Sequence, residues 1–157
     1  MPRIDPNNPF YLISHNEILL ITLMVWVVAQ GVKMMLYLLR GKKFNFRWFI
    51  GTGGMPSSHA AGVTALATSC GLVHGFGSGI FALATVFAMV TMFDAQGVRR
   101  STGEQAGILN KVLEDMYWHK RFEIGRIREF VGHTPFQVFV GSALGIGLAI
   151  LFHGRSL

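Results

Sequence analysis

Long apolar runs constrain this chain more than any other feature. Residues 18–39, 58–73, 79–94 and 136–152 are mostly apolar and approach or reach the length of a bilayer crossing, about 20 residues for a helix. Hydrocarbon offers no partner for backbone N–H and C=O groups, so a spanning segment of this kind satisfies them internally, as a helix. The expected fold class is all-α: a polytopic transmembrane helix bundle of about four spans, forming one integral membrane domain over residues 1–157. The second and third runs are short, and the second is rich in Ala, Gly and Thr. The VHGFGSG connection at residues 73–79 predicts an antiparallel hairpin between them. Gly141 and Gly145 stand four residues apart in the last run, a spacing suited to close helix contact.

Only 14% of residues are charged, against about a quarter in a soluble domain. The formal net charge is +6, which points to anionic partners. The apolar runs favour anionic lipid or phosphate over nucleic acid, and no nucleic-acid partner is expected. The single cysteine, Cys70, lies in an apolar run and reads as a packing residue, which excludes a disulfide framework or cysteine metal site. The N-terminal residues lack the basic start and early apolar core of a secretory signal and the Arg/Ser-rich pattern of a transit peptide. The first run is therefore expected to be a retained anchor. Four spans make a thin bundle, which leaves room for a homodimer.

Basic residues are unevenly placed. Arg40, Lys42, Lys43 and Arg47 lie between the first and second runs, and Arg99, Arg100, Lys111, Lys120, Arg121, Arg126 and Arg128 between the third and fourth. The tails carry only Arg3 and Arg155, and the hairpin carries none. By the positive-inside rule both basic loops are expected to face the cytoplasm, with the termini and the hairpin outside. Trp48 and Trp118 then fall at the cytoplasmic interface. Within the long basic loop, Ser101-Thr-Gly-Glu104 has the pattern of a capping box. Ile108, Leu109, Val112, Leu113, Met116 and Tyr117 follow at helical spacing. An amphipathic helix near residues 102–117 is expected, lying on the cytoplasmic surface or packed against the bundle. A solvated connector without chemistry is the plainer alternative.

Four groups of residues could carry chemistry. Gln30, Lys33, Tyr37 and Arg40 share one helical face of the first run. A lysine at that depth points to function, or it snorkels along lipid to the headgroups. Together with Arg40 it suggests an inward-facing anion site. Gly51-Thr-Gly-Gly-Met-Pro-Ser-Ser-His59 immediately precedes the second run. Its glycines permit close approach of the backbone, a helix N-terminus attracts anions, Ser57 and Ser58 add hydroxyl donors, and His59 can hold or deliver a proton. An ordinary loop capping a helix would look similar. His133 lies just before the fourth run, closely preceded by Arg126, Arg128 and Glu129; alone it would read as an interfacial residue. Asp94 ends the third run, one turn before Arg99 and Arg100. It either pairs with them or orients a histidine or substrate.

These residues resemble the type 2 phosphatidic acid phosphatase superfamily, which includes the vanadium haloperoxidases, and most closely its small divergent bacterial and plastid branch. The resemblance runs from about Gln30 to the end of the fourth run. The superfamily's first motif is a lysine, six residues and Arg-Pro; Lys33 and Arg40 match, with Gly41 for the proline. Its second is Pro-Ser-Gly-His; the chain has Pro56-Ser57-Ser58-His59. In its third, His133 matches the histidine, Arg128 precedes it by four intervening residues rather than five, and Gln137 replaces the aspartate. Gly-Gly-Met-Pro-Ser-Ser-His, Asp-Ala-x-Gly-Val-Arg-Arg and Gly-His-Thr-Pro are together typical of the divergent branch.

The resemblance implies a phosphatase without metal or cofactor. Lys33, Arg40 and Arg128 would hold the phosphate, helped by Ser57, Ser58, Arg99 and Arg100. His133 would attack phosphorus, and His59 would protonate the leaving oxygen and then activate water. Gln137 can orient His133 but cannot carry charge; Glu129 or Asp94 would have to supply it. The expected substrate is a lipid phosphate resembling phosphatidylglycerophosphate or phosphatidate, with a polyprenyl diphosphate as a further option. The competing reading is a non-catalytic membrane protein that keeps an anionic-lipid or phosphate pocket. A phosphotransferase is disfavoured because the downstream aspartates for its metals are missing, and haloperoxidase activity because those enzymes are soluble.

Overall fold

The computed structural model describes residues 8–39, 41, 54–117 and 133–154, with the side chains of residues 98–100, 102, 104 and 114–117 outside the description. Six helices follow in order among these residues: α1 (Pro9–Ser14), α2 (Glu17–Leu39), α3 (Ser58–His74), α4 (Gly79–Gln96), α5 (Val98–Tyr117) and α6 (Pro135–Phe152). No strand occurs among the described residues. Three helices, α2, α4 and α6, are long and apolar enough to cross a membrane. Their outward faces carry large apolar side chains, including Leu83, Val90 and Phe93 on α4 and Phe136 and Phe139 on α6. Exposed apolar surface on this scale suits lipid, not water.

The shorter α3 is the centre of the bundle, packed against α2, α4 and α6. Its composition follows from that position. Ala60, Ala61, Gly62, Thr64, Ala65, Ala67, Ser69, Cys70 and Gly71 are all buried, and small side chains let three neighbours approach at once. Ile21, Val25 and Ala29 of α2 meet Ala61 and Ala65 of α3 and Ala149 of α6 in one core. Ala67 and Cys70 meet Ala84 and Ala88 of α4 in another. A Cβ on Gly141 would strike the Ser57 carbonyl, and one on Gly145 would strike the Ala61 carbonyl and Thr64 Oγ1. The two glycines therefore permit the close approach of α3 and α6. Thr64 Oγ1, which donates to the Ala60 carbonyl at 2.7 Å, also lies 3.3 Å from the Ser142 carbonyl across this contact.

The amphipathic stretch departs from its expected form. Helix α5 begins at Val98, not after Ser101, because Gly97 between α4 and α5 keeps helical backbone angles (φ −91°, ψ −74°). Ser101 is thus inside the helix, where its Oγ donates to the Gly97 carbonyl at 3.0 Å, and it cannot act as an N-cap. Of the described stripe residues, Ile108, Leu109 and Val112 are exposed, whereas Ala106 and Asn110 on the same helix are buried.

At the end of the bundle holding α1 and the α3–α4 hairpin, Glu17 Oε1 accepts from the Gly154 N–H at 3.2 Å and lies 3.3 Å from His153 Nδ1. These contacts tie the start of α2 to the end of α6. The helices alternate in direction, so the end of α2, the start of α3, the end of α4 and the start of α6 meet at the opposite end.

Candidate functional site

That opposite end is stitched together through the backbone. The Ser57 N–H donates to the Gln137 carbonyl at 3.2 Å, and the His133 N–H to the Ala95 carbonyl at 3.1 Å. The starts of α3 and α6 and the end of α4 are held by these two bonds. Ser57 caps α3, its Oγ accepting from the Ala60 N–H at 3.3 Å. Thr134 caps α6, with Pro135 in the first turn and Gln137 completing a reciprocal capping box. Two helix N-termini, each a concentration of partial positive charge, therefore lie side by side, an arrangement that favours anions.

His59 and His133 flank this point with ring centroids 6.2 Å apart and planes inclined at 57°. A nucleophile stands about 3–3.5 Å from the atom it attacks, and a general acid acts over about 2.6–3.2 Å. The two rings are therefore near enough to reach one small group. His133 is 2% exposed, Ser57 is fully buried and Ser58 is 3% exposed, so charge developing here would be poorly screened by water.

Lys33 does not reach toward lipid. It is 8% exposed, and its Cε lies 3.2 Å from where a Cβ on Gly54 would stand. Gly54 has φ +85°, a backbone conformation that glycine adopts readily. The lysine stem thus lies across the loop leading into Pro56-Ser57-Ser58-His59. Its Nζ stands 3.5 Å from Oε1 of Gln30, itself 3% exposed. The structure accordingly gathers Lys33, Ser57, Ser58, His59 and His133 at one end of the bundle. Asp94 is half-buried in the last turn of α4, next to the Ala95 whose carbonyl accepts from His133. Arg40, Arg128 and Glu129 lie outside the described residues, as do the side chains of Arg99 and Arg100.

A family model described as the divergent PAP2 family matches residues 14–148. The chain belongs to the divergent PAP2 family. It is also similar to the uncharacterized membrane protein YuiD of Bacillus subtilis (strain 168), 39% identical over 147 residues that cover 85% of this chain and 91% of the relative. No solved structure matches the chain. The family match spans every helix of the site, and the relative is itself described as a membrane protein. The divergent PAP2 chain is thus an integral membrane protein.

Sequence reasoning passed over three participants. Gly54 carries the lysine stem, the Ala95 carbonyl anchors His133, and Thr134 fixes the amide of Gln137. Only the last left a readable signal: Thr134-Pro-Phe-Gln137 has the capping-box spacing.

Proposed function

We propose that this divergent PAP2 chain is a membrane-embedded phosphatase that hydrolyses a lipid phosphate through a phosphohistidine intermediate at the cytoplasmic face. The observation that carries the reading is the pair of half-buried His59 and buried His133, with ring centroids 6.2 Å apart at the starts of two helices. In the first step His133 attacks phosphorus, the bond from phosphorus to the lipid oxygen breaks, and His59 gives its proton to that oxygen. In the second, His59 takes a proton from water as the oxygen attacks phosphorus. Inorganic phosphate leaves and His133 is restored. Lys33, with Arg40 and Arg128 as the remaining proposed cations, balances charge on the equatorial oxygens; Ser57, Ser58, Arg99 and Arg100 complete the proposed phosphate site.

Four spans accompany this reading. Helix α3 has 17 residues, and a helix wrapped by three spanning neighbours needs little lipophilic surface of its own. The basic segments then face the cytoplasm, as the positive-inside rule requires. The substrate is a lipid phosphate present on that leaflet, resembling phosphatidylglycerophosphate or phosphatidate.

Gln137 favours one alternative, a non-catalytic protein that keeps the pocket to bind anionic lipid, because a neutral amide stands where the superfamily has a carboxylate. Detergent-purified protein offered a panel of lipid phosphates separates the two. Release of phosphate that His133→Ala abolishes supports the phosphatase. Arg40-dependent binding of anionic lipid with no phosphate release from any substrate supports the alternative.

A further inference from the structure

The amide of Gln137 has its orientation fixed by the helix it caps. Its Oε1 accepts from the Thr134 N–H at 3.1 Å, while its own N–H donates to Thr134 Oγ1 at 3.4 Å. A backbone N–H is only a donor, so the side-chain atom facing it is the oxygen. The same Oε1 lies 3.3 Å from Nδ1 of His133. An amide oxygen cannot donate, so the proton in that contact belongs to the imidazole. We propose that Gln137 is a positioning residue that holds His133 as its Nδ1–H tautomer, placing the lone pair on Nε2, and does so through a neutral partner that leaves the ring uncharged over a wider acid range than a carboxylate would.

The consequence for turnover rests on the phosphatase reading above. Only the nitrogen without a proton can attack phosphorus, and a ring cationic before the attack has no such nitrogen. A carboxylate at Oε1 would favour the cation, since an opposite charge within about 4–6 Å stabilises the charged form. His133 would then protonate at higher pH. The neutral amide removes that pull, at the expense of weaker support for the positive ring of a phosphohistidine. Among the described residues, the other ionisable groups brought to this end by the packed helices are Lys33 and Tyr37 of α2, His59 of α3 and Asp94 of α4. They are unchanged when residue 137 alone is varied.

Nitrogen NMR of protein carrying 15N-histidine reads the tautomer directly, with the His133 signals assigned by their loss in His133→Ala. The spectra require no turnover, so they stand or fall separately from phosphate release. The expected result is a protonated Nδ1 and an unprotonated Nε2 at neutral pH. Gln137→Glu retains the capping-box geometry and should retain the tautomer, while raising the pH of ring protonation by about one unit or more. The acid limb of any phosphate release should move upward with it. Thr134→Ala removes the cap hydroxyl but keeps the Thr134 N–H, and should leave the tautomer unchanged. Gln137→Leu should release Nδ1 and populate the Nε2–H form. An Nε2–H ring in the unmodified protein, or a ring that titrates identically in Gln137→Glu, overturns the proposal even if Gln137→Leu fails to fold.

Discussion

The stem of Lys33 lies across Gly54, with Cε 3.2 Å from the position a Cβ on that glycine would take. A residue about three-quarters of the way along α2 is in this way coupled to the loop that delivers Ser57, Ser58 and His59. The contact has two consequences for Gly54→Ala. A non-glycine residue at φ +85° is strained by about 1–2 kcal/mol, and the new methyl displaces the lysine stem. Thermal unfolding in detergent should show a modest loss of stability. Phosphate release should fall at least tenfold in kcat/KM, since removing one charge-stabilising donor outright costs roughly 10²–10³ in turnover. Unchanged kcat/KM would separate Lys33 from the reaction.

The α3–α6 contact predicts a contrast between two glycines of one helix. A Cβ on Gly145 meets the Ala61 carbonyl and Thr64 Oγ1, whereas one on Gly147 meets nothing within 4 Å. Gly145→Ala should destabilise the protein by about 1–3 kcal/mol, as overpacking does. Gly147→Ala should be neutral or stabilising, because alanine favours the helix interior by about 0.8–1 kcal/mol. Equal melting temperatures for the two variants would contradict the packing described.

Much of this organisation was legible in the sequence, and the exceptions have physical causes. The apolar runs mark α2, α4 and α6 because lipid-facing helices must be apolar all round their exposed surface. Gly141 and Gly145 are readable because close approach demands small residues at helical spacing. Lys33 is readable as an inward residue because it shares a helical face with Arg40. The capping box assigned to Ser101 fails because α5 already starts at Val98, directly after Gly97, which leaves Ser101 inside its first turn. The stripe of Ile108, Leu109 and Val112 shows periodicity but not which face packs; the buried residues are Ala106 and Asn110. The contacts of Gly54 and Ala95 join distant segments and leave no local trace.

Orientation rests on the asymmetry of basic residues and is open to labelling. In a protein with Cys70 replaced by serine, Ser78→Cys in the hairpin should react with an impermeant thiol reagent in intact cells. Lys111→Cys, an exposed position on α5, should react only after the cells are permeabilised. The reverse pattern would place the site on the outer face, and with it the substrate leaflet.

The central claim is that His133 carries the phosphoryl group. Its most direct test is to mix His59→Ala with an aryl phosphate whose leaving group needs no proton, and then locate the label. Without His59 to activate water, the second step should stall. An acid-labile phosphoryl group should accumulate on the peptide containing His133 and be absent when His133→Ala is added. Phosphate release by His133→Ala at the unmodified rate, or a phosphoryl group on any other residue, would contradict the account.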